Sequence, residues 1–214
     1  MMNRIASFFS YLLHPLFVPL YGYSILLFTN NYFSYFFSPR VKLLLLSIVF
    51  TFTCILPVLN LYILLRFKLI RSLRLEDAGQ RTFPYLVTAV FYLGMAYLVW
   101  DFNIPFIFKT LVLAGAICIG LAALINLRWK ISAHMTGFGG LTGAAVLVSL
   151  ILRQNFLPLI CLLIALSGIL AFSRLQLKAH TPAQVYSGFA LGFVITFLFL
   201  FTMYIVALHA HGTG

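Results

Sequence analysis

Seven long apolar stretches decide what this chain can fold into. They lie near residues 8–29, 41–65, 84–100, 104–127, 134–152, 156–172 and 183–208. A helix needs about 20 apolar residues to cross a bilayer, and most of these stretches are that long. A helix satisfies all of its own backbone hydrogen bonds in lipid, which excludes other structures for this pattern. The sequence therefore predicts an all-α, polytopic membrane bundle of about seven transmembrane helices.

The stretches follow one another without a linker, an internal repeat or a low-complexity segment. We therefore expect one integral membrane domain over residues 1–214, with its polar motifs in a core of about 66–208. The N-terminal segment resembles a signal peptide, but His14, Pro15 and Pro19 interrupt it and no small-residue cleavage site follows. We expect the first span to be retained, with a kinked helix in which His14 provides a hydrogen-bond partner at the kink.

The composition excludes a soluble domain. Of 214 residues, 63% are hydrophobic and 8% are charged, more apolar surface than a soluble fold of this size keeps from water. Three acidic residues, Glu76, Asp77 and Asp101, stand against fourteen Lys and Arg. This excess predicts anionic lipids or an anionic substrate as partners, and it excludes nucleic acid because no broad soluble basic face fits here. We expect an integral protein of the cell (inner) membrane and leave its oligomeric state open.

The three cysteines carry no motif. Cys54, Cys118 and Cys161 each lie inside an apolar stretch, far apart and without CxxC spacing. We expect all three to be small buried hydrophobic residues without a disulfide or metal role.

Three polar islands interrupt the apolar sequence, in the loops 66–82, 128–133 and 173–182. Two spans separate each island from the next, so all three loops and the N-terminus emerge on the same face of the membrane. A site built from the three islands is therefore geometrically possible. Ten basic residues on this face against four on the other favour a cytoplasmic location. When Arg74, Arg81, Lys130 and Arg174, which are positive for chemical reasons, are left out of the count, six basic residues remain against four, so the side of the site stays open.

The islands contain the groups that phosphate ester chemistry requires. Arg74 and Arg81 can each bind a pair of phosphate oxygens in a forked geometry. Lys68 or Arg71 could take the place of Arg74. Ser132 precedes the fifth span as a hydroxyl donor or as a helix cap, and His134 follows it as a proton donor.

The third island holds Arg174, His180 and Gln184. Thr181 and Pro182 have the residue types of an N-cap and a first helical position. Gln184 would then lie one turn from His180, where it can hold the imidazole in one tautomer. A neutral imidazole held in this way is a competent nucleophile.

The three islands together resemble the signature of the type-2 phosphatidate phosphatase superfamily, which includes lipid phosphate phosphatases and vanadium haloperoxidases. The family pattern is K-x6-R-P, then P-S-G-H, then S-R-x5-H-x3-D. The corresponding segments here are Arg74-x6-Arg81 with Pro84 two residues late, Ile131-Ser132-Ala133-His134, and Ser173-Arg174-x5-His180-x3-Gln184. The similarity covers residues 74–184. A haloperoxidase is disfavoured because the chain lacks a large soluble domain.

The resemblance implies an integral membrane lipid phosphatase that hydrolyses a phospho- or pyrophospho-lipid. By it, His180 attacks phosphorus to form a phosphohistidine, and His134 protonates the leaving alcohol. The phosphoryl oxygens would be held by Arg74, Arg81, Ser132, Ala133 and Arg174. The resemblance implies no metal and no other cofactor.

Three positions depart from the family pattern. Arg74 replaces a lysine and keeps its charge, and Ala133 replaces a glycine and keeps the backbone N–H. Gln184 replaces the aspartate that orients the nucleophilic histidine, and an amide cannot stabilise an imidazolium by charge. The alternative is therefore a catalytically weakened lipid-phosphate binding or transport protein. Glycines 137, 139, 140 and 143 allow either close helix packing or a phosphate-cradling loop.

Overall fold

The computed structural model describes residues 1–72 and 79–212, and these ranges contain helices and no strand. A 3₁₀ turn at Pro15–Phe17 separates α1 from α2, and a π-helical turn at Thr51–Ile55 separates α4 from α5. The ten α-helices of this part of the chain are α1 Met2–Leu12, α2 Val18–Phe28, α3 Tyr32–Phe36, α4 Pro39–Phe50, α5 Leu56–Arg66, α6 Gly79–Trp100, α7 Phe106–Asn126, α8 Ala133–Leu152, α9 Leu157–Gln176 and α10 Pro182–Gly212.

Seven segments of the described chain are long and apolar enough to cross a membrane. The first, Met2–Phe28, joins α1, the 3₁₀ turn and α2, and the second, Pro39–Arg66, joins α4, the π turn and α5. Each helix from α6 to α10 forms one further span. The prediction of an all-α bundle with about seven transmembrane helices is confirmed, and the chain is an integral membrane protein.

The first span is broken beside His14. Two side chains bond to backbone carbonyls beside the break: the Tyr21 hydroxyl donates to the Leu12 carbonyl, and the thiol of Cys54 donates to the Leu16 carbonyl at 3.1 Å. The Leu16 N–H donates to His14 Nδ1 at 3.3 Å, so His14 caps the 3₁₀ turn. His14 thus provides a hydrogen-bond partner for the backbone at the kink, as the sequence predicted.

Glycines hold α8 and α10 in backbone contact. A Cβ added at Gly139 would lie 2.1 Å from the carbonyl oxygen of Phe189, and one at Gly192 would lie 1.9 Å from that of Thr136. No larger residue fits at either position without separating the helices. Of the two roles that the sequence allowed for the glycines of α8, close helix packing is the one observed at Gly139. This packing fixes the start of α10 against the start of α8.

The third span begins earlier than its apolar stretch. We expected a helix from Pro84, but the chain is already helical at Gly79 and Pro84 lies inside α6. The proline removes one hydrogen bond, to the Gln80 carbonyl, and the helix continues past it. Arg81 consequently sits on α6 and not in a loop.

The expectation for the cysteines holds at two positions. Cys54 and Cys118 are buried, but Cys161 is exposed on the outside of the bundle. Its helix, α9, has 22% of its span buried, so most of its apolar side chains face outward. An apolar neighbourhood in the sequence does not separate protein-facing from lipid-facing positions, because lipid tails are as apolar as the protein core.

Candidate active site

A cavity of about 240 Å³ opens among α2, the π turn, α6, α7 and α8, at the end of the bundle where the three islands meet. Its polar end is formed by side chains from five separate segments. They are His14, Arg81, Tyr85, His134, Arg174 and His180. We call these six residues the polar end. Helix ends from distant parts of the sequence therefore bring two guanidiniums and three imidazoles into one cavity.

Five of the eight candidate residues from the sequence line this cavity, namely Arg81, Ala133, His134, Arg174 and His180. Gln184 lies behind His180 and is bonded to it. Ser132 is fully buried outside the lining and its hydroxyl has no partner among the described residues, so it does not cap α8. Arg74 lies outside the described residues.

The two arginines are placed to bind an anion. Arg81 is buried and donates a hydrogen bond to the Tyr85 hydroxyl, which lies one helical turn further along α6. Arg174 is half-buried at the end of α9, and its buried Nε has no hydrogen-bond partner in the described part of the chain. A buried donor without an acceptor is costly, and a bound anionic oxygen would satisfy it.

Acidic side chains do not supply that anion from the described ranges. Asp101 follows the far end of α6, roughly 30 Å from Arg81 at about 1.5 Å of rise per residue. Glu76 and Asp77 lie outside the described residues. Within the described ranges, the charge at the polar end is therefore positive.

His180 is held by Gln184. The Gln184 side-chain oxygen accepts from the Thr181 N–H at 3.1 Å, and the Gln184 N–H donates to the Thr181 hydroxyl at 3.4 Å. This reciprocal pair is a capping box at the start of α10, as the residue types at 181 and 182 predicted. The same oxygen lies 3.2 Å from His180 Nδ1. Because an oxygen can only accept, Nδ1 carries the proton and Nε2 keeps its lone pair.

His180 is uncharged at neutral pH. Burial, together with the positive charges of Arg174 and Arg81, lowers the pKa of His180 from 6.5 to about 4, and the Gln184 hydrogen bond opposes this shift. The side chain is 8% exposed. The loop before α10 thus presents a neutral imidazole whose tautomer is fixed, which is the state that nucleophilic attack requires.

His134 is oriented by the broken first span. Its Nε2 lies 3.1 Å from the carbonyl oxygen of Ser10, near the end of α1, so Nε2 carries a proton. The His14 ring packs edge-on against the His134 ring with centroids 5.1 Å apart. The Ser10 carbonyl can also stabilise a protonated His134, since it accepts from the imidazolium more strongly than from the neutral ring.

The second and third islands are joined through their backbones. The Ser132 N–H donates to the Gln184 carbonyl at 3.3 Å, so this donor is already occupied and does not serve a ligand. The next N–H groups, at Ala133 and His134, belong to the first turn of α8 and have no acceptor within the helix. They are the backbone donors that α8 can offer to an anion beside Ala133.

Sequence reasoning missed two members of the polar end. His14 has no local signal, because its proximity to His134 arises from packing of the first span against α8. Tyr85 stands four residues after Arg81, which is a helical spacing. A prediction that α6 already includes Arg81 would have placed Tyr85 beside it.

Comparison with protein-family models, with curated proteins and with solved structures finds no match for this chain.

Proposed function

We propose that the protein is an integral membrane lipid phosphatase that hydrolyses a phospho- or pyrophospho-lipid through a phosphohistidine. The observation that carries this proposal is the polar end itself. There Arg81 and the unsatisfied Arg174 Nε surround His180, whose neutral tautomer leaves Nε2 free. The cavity leads from these groups into the apolar interior, which suits an amphiphilic substrate with a phosphate head.

In the first step, His180 Nε2 attacks phosphorus and a P–N bond forms as the P–O bond to the leaving group breaks. His134, whose buried ring is neutral at the outset, takes up at Nδ1 the proton of a monoanionic phosphate head and passes it to the leaving oxygen, while its Nε2–H stays bonded to the Ser10 carbonyl. Positive charge develops on the imidazole of His180. Gln184 stabilises this charge through the Nδ1–H hydrogen bond and without a charge of its own.

In the second step, water attacks the phosphohistidine and the P–N bond breaks. His134 Nδ1, which lost its proton in the first step, accepts a proton from the attacking water. His134 Nδ1 passes this proton to the departing phosphate, and the electron pair of the broken bond returns to His180 Nε2. Protons and electron pairs therefore balance over the two steps.

The guanidiniums hold the equatorial oxygens, on which the charge of the transferring phosphoryl group is spread. Tyr85 fixes Arg81, and the free N–H groups at the start of α8 add backbone donors beside Ala133. The resemblance adds Arg74 to this set, whereas Ser132, which it also implies, is buried outside the cavity lining. The stabilisation is electrostatic and acts from positions fixed before the reaction.

A second candidate is a lipid-phosphate binding or transport protein with the same anion pocket. Gln184 favours it, because its side-chain oxygen has a structural task in the capping box and carries no charge to stabilise a cationic His180. A binder needs the arginines and does not need this charge.

The test is phosphate release by the purified protein from phosphatidate, phosphatidylglycerophosphate and polyprenyl pyrophosphate. We expect release from at least one of them, with an acid-labile phosphoenzyme trapped during turnover. The His180→Ala variant should lose both, whereas His209→Ala, which changes an exposed histidine on α10, should keep both. Folded protein that is inactive on all three lipids would refute the phosphatase, and binding without turnover would support the second candidate.

A further inference from the structure

The cavity does not end at the polar end. Along α6 its lining residues recur at helical spacing from Arg81 through Pro84, Thr88 and Tyr92 to Met95. At about 1.5 Å of rise per residue this face extends roughly 20 Å into the bundle. The hydrocarbon core of a bilayer is about 30 Å thick, so this face is longer than half of that thickness. We call the part beyond the polar end the chain channel.

The walls of the chain channel are mainly apolar, and three of the threonines in them bond their hydroxyl groups to the protein. The Thr88 hydroxyl donates to the Pro84 carbonyl at 2.7 Å, and the Thr136 hydroxyl donates to the Ser132 carbonyl at 3.1 Å. Cys118 and Thr196 share a contact of 3.5 Å between Sγ and Oγ1. These groups turn their polar atoms to the protein, so they leave water few partners inside.

The far end of the channel is closed by packed side chains. Tyr23 and Met95 are each 1% exposed, and Val112 is 4% exposed. The Tyr23 hydroxyl donates to the Phe108 carbonyl at 2.6 Å, which fixes the ring in place. This floor sets a limit to the length of whatever fills the channel.

We propose that the chain channel binds one aliphatic chain of the lipid whose phosphate occupies the polar end, so that the substrate is a single-chain lipid phosphate or a lipid that inserts one of its chains. The inference rests on the proposed function for the phosphate. Continuity with the arginines argues for an anionic head on the same molecule. The volume of about 240 Å³ lies below the usual 300–1,000 Å³ of ligand pockets, which fits one narrow chain.

Gly22 gives the channel part of its width. A Cβ at Gly22 would meet Leu141 at 3.4 Å and Leu111 at 3.6 Å, which are ordinary contacts. Alanine therefore fits there without strain, and valine adds methyl groups that project into the channel. Gly22 lies next to Tyr23 of the floor, so these substitutions shorten the channel and leave the polar end unchanged.

The experiment compares octyl phosphate with hexadecyl phosphate as substrates in nanodiscs, using the wild type, Gly22→Ala and Gly22→Val. Phe28→Leu, which alters an exposed residue on the same helix, is the control. We expect Gly22→Val to lower kcat/KM for hexadecyl phosphate by about tenfold or more, the cost of misfit methylenes in an apolar pocket. Octyl phosphate should change less than about twofold, and Gly22→Ala should give a smaller shift in the same direction.

A second measurement does not depend on hydrolysis. Octyl and hexadecyl phosphonates, which cannot be hydrolysed, are tested for their effect on the thermal unfolding of the same proteins. We expect hexadecyl phosphonate to raise the Tm of the wild type and of Phe28→Leu more than that of Gly22→Val.

The outcomes separate the two proposals. Turnover that responds equally to both chain lengths in every Gly22 variant would overturn the chain channel and keep the phosphatase. Stabilisation by hexadecyl phosphonate that Gly22→Val weakens, without turnover of the alkyl phosphates or of the three lipids named above, would support the channel and overturn the phosphatase. No stabilisation and no turnover of any of these substrates would overturn both.

Discussion

The sharpest prediction concerns the charge that position 184 lacks. Glutamate has the reach of glutamine, so in Gln184→Glu one carboxylate oxygen takes the place of Oε1, 3.2 Å from His180 Nδ1 and 3.1 Å from the Thr181 N–H. The capping box and the tautomer of His180 are kept. Aspartate is one methylene shorter and would have to give up one of these two contacts, which makes glutamate the cleaner substitution.

The expected magnitude follows from the charge alone. His180 becomes cationic as the P–N bond forms, so an added carboxylate stabilises the transition state more than the ground state and raises kcat. Two unit charges about 4 Å apart attract by about 4 kcal/mol at an effective dielectric constant of about 20, which is an upper bound. A hydrogen bond to a charged group exceeds a neutral one by about 1–1.5 kcal/mol. Because Gln184 is partly exposed, the smaller figure applies.

We therefore expect Gln184→Glu to raise kcat by about tenfold, since about 1.4 kcal/mol corresponds to a factor of ten. The assay is steady-state phosphate release at saturating lipid by wild type, Gln184→Glu and Gln184→Met. Methionine keeps the length and removes the acceptor, so it should lower kcat by about tenfold.

A Gln184→Glu variant that is folded, binds the lipid and turns over no faster than the wild type would refute the reasoning. The missing charge would then not limit the reaction. Equal activity of Gln184→Met and the wild type would refute the orienting role of the side-chain oxygen itself.

Three further predictions rest on the same geometry. Because the pKa of His180 is lowered to about 4, its imidazole stays neutral as the pH falls. The acid limb of the kcat/KM profile should therefore lie near pH 4, once the profile is corrected for the substrate's second ionisation near about 6. An acid limb at the usual histidine pKa would contradict this. Tyr85→Phe removes the acceptor that fixes Arg81 and should lower kcat/KM about tenfold in the phosphate-release assay, and an unchanged value would contradict it. Gly192→Ala forces α10 away from the α8 backbone and should lower both Tm and activity. Gly168→Ala is the control, because a Cβ at Gly168 meets nothing within 4 Å, and it should change neither quantity by much. Equal effects of the two substitutions would refute the packing argument.

Local rules explain what the sequence predicted well. Apolar length and the demand for backbone hydrogen bonds in lipid are properties of each segment, so the seven spans followed from the sequence alone. The capping box at Thr181 and Gln184 is also local, because four consecutive residues contain all of its donors and acceptors. Parity of the spans then required the three islands to share one face, where Arg81, His134 and His180 line one cavity.

Tertiary structure decided what surrounds these groups. The contact of His14 with His134 and the carbonyl of Ser10 at His134 Nε2 depend on how the broken first span packs against α8, and Ser132 is buried where the start of α8 meets α10. The floor of the chain channel and the outward position of Cys161 depend on packing in the same way. In water, hydrophobic side chains identify the buried face of a helix. Lipid is as apolar as a protein core, so in a membrane hydrophobicity does not distinguish the face that contacts protein from the face that contacts lipid. The sequence by itself therefore determined which segments enter the membrane and which polar groups share a face, whereas shape and backbone contact between helices determined which of them meet.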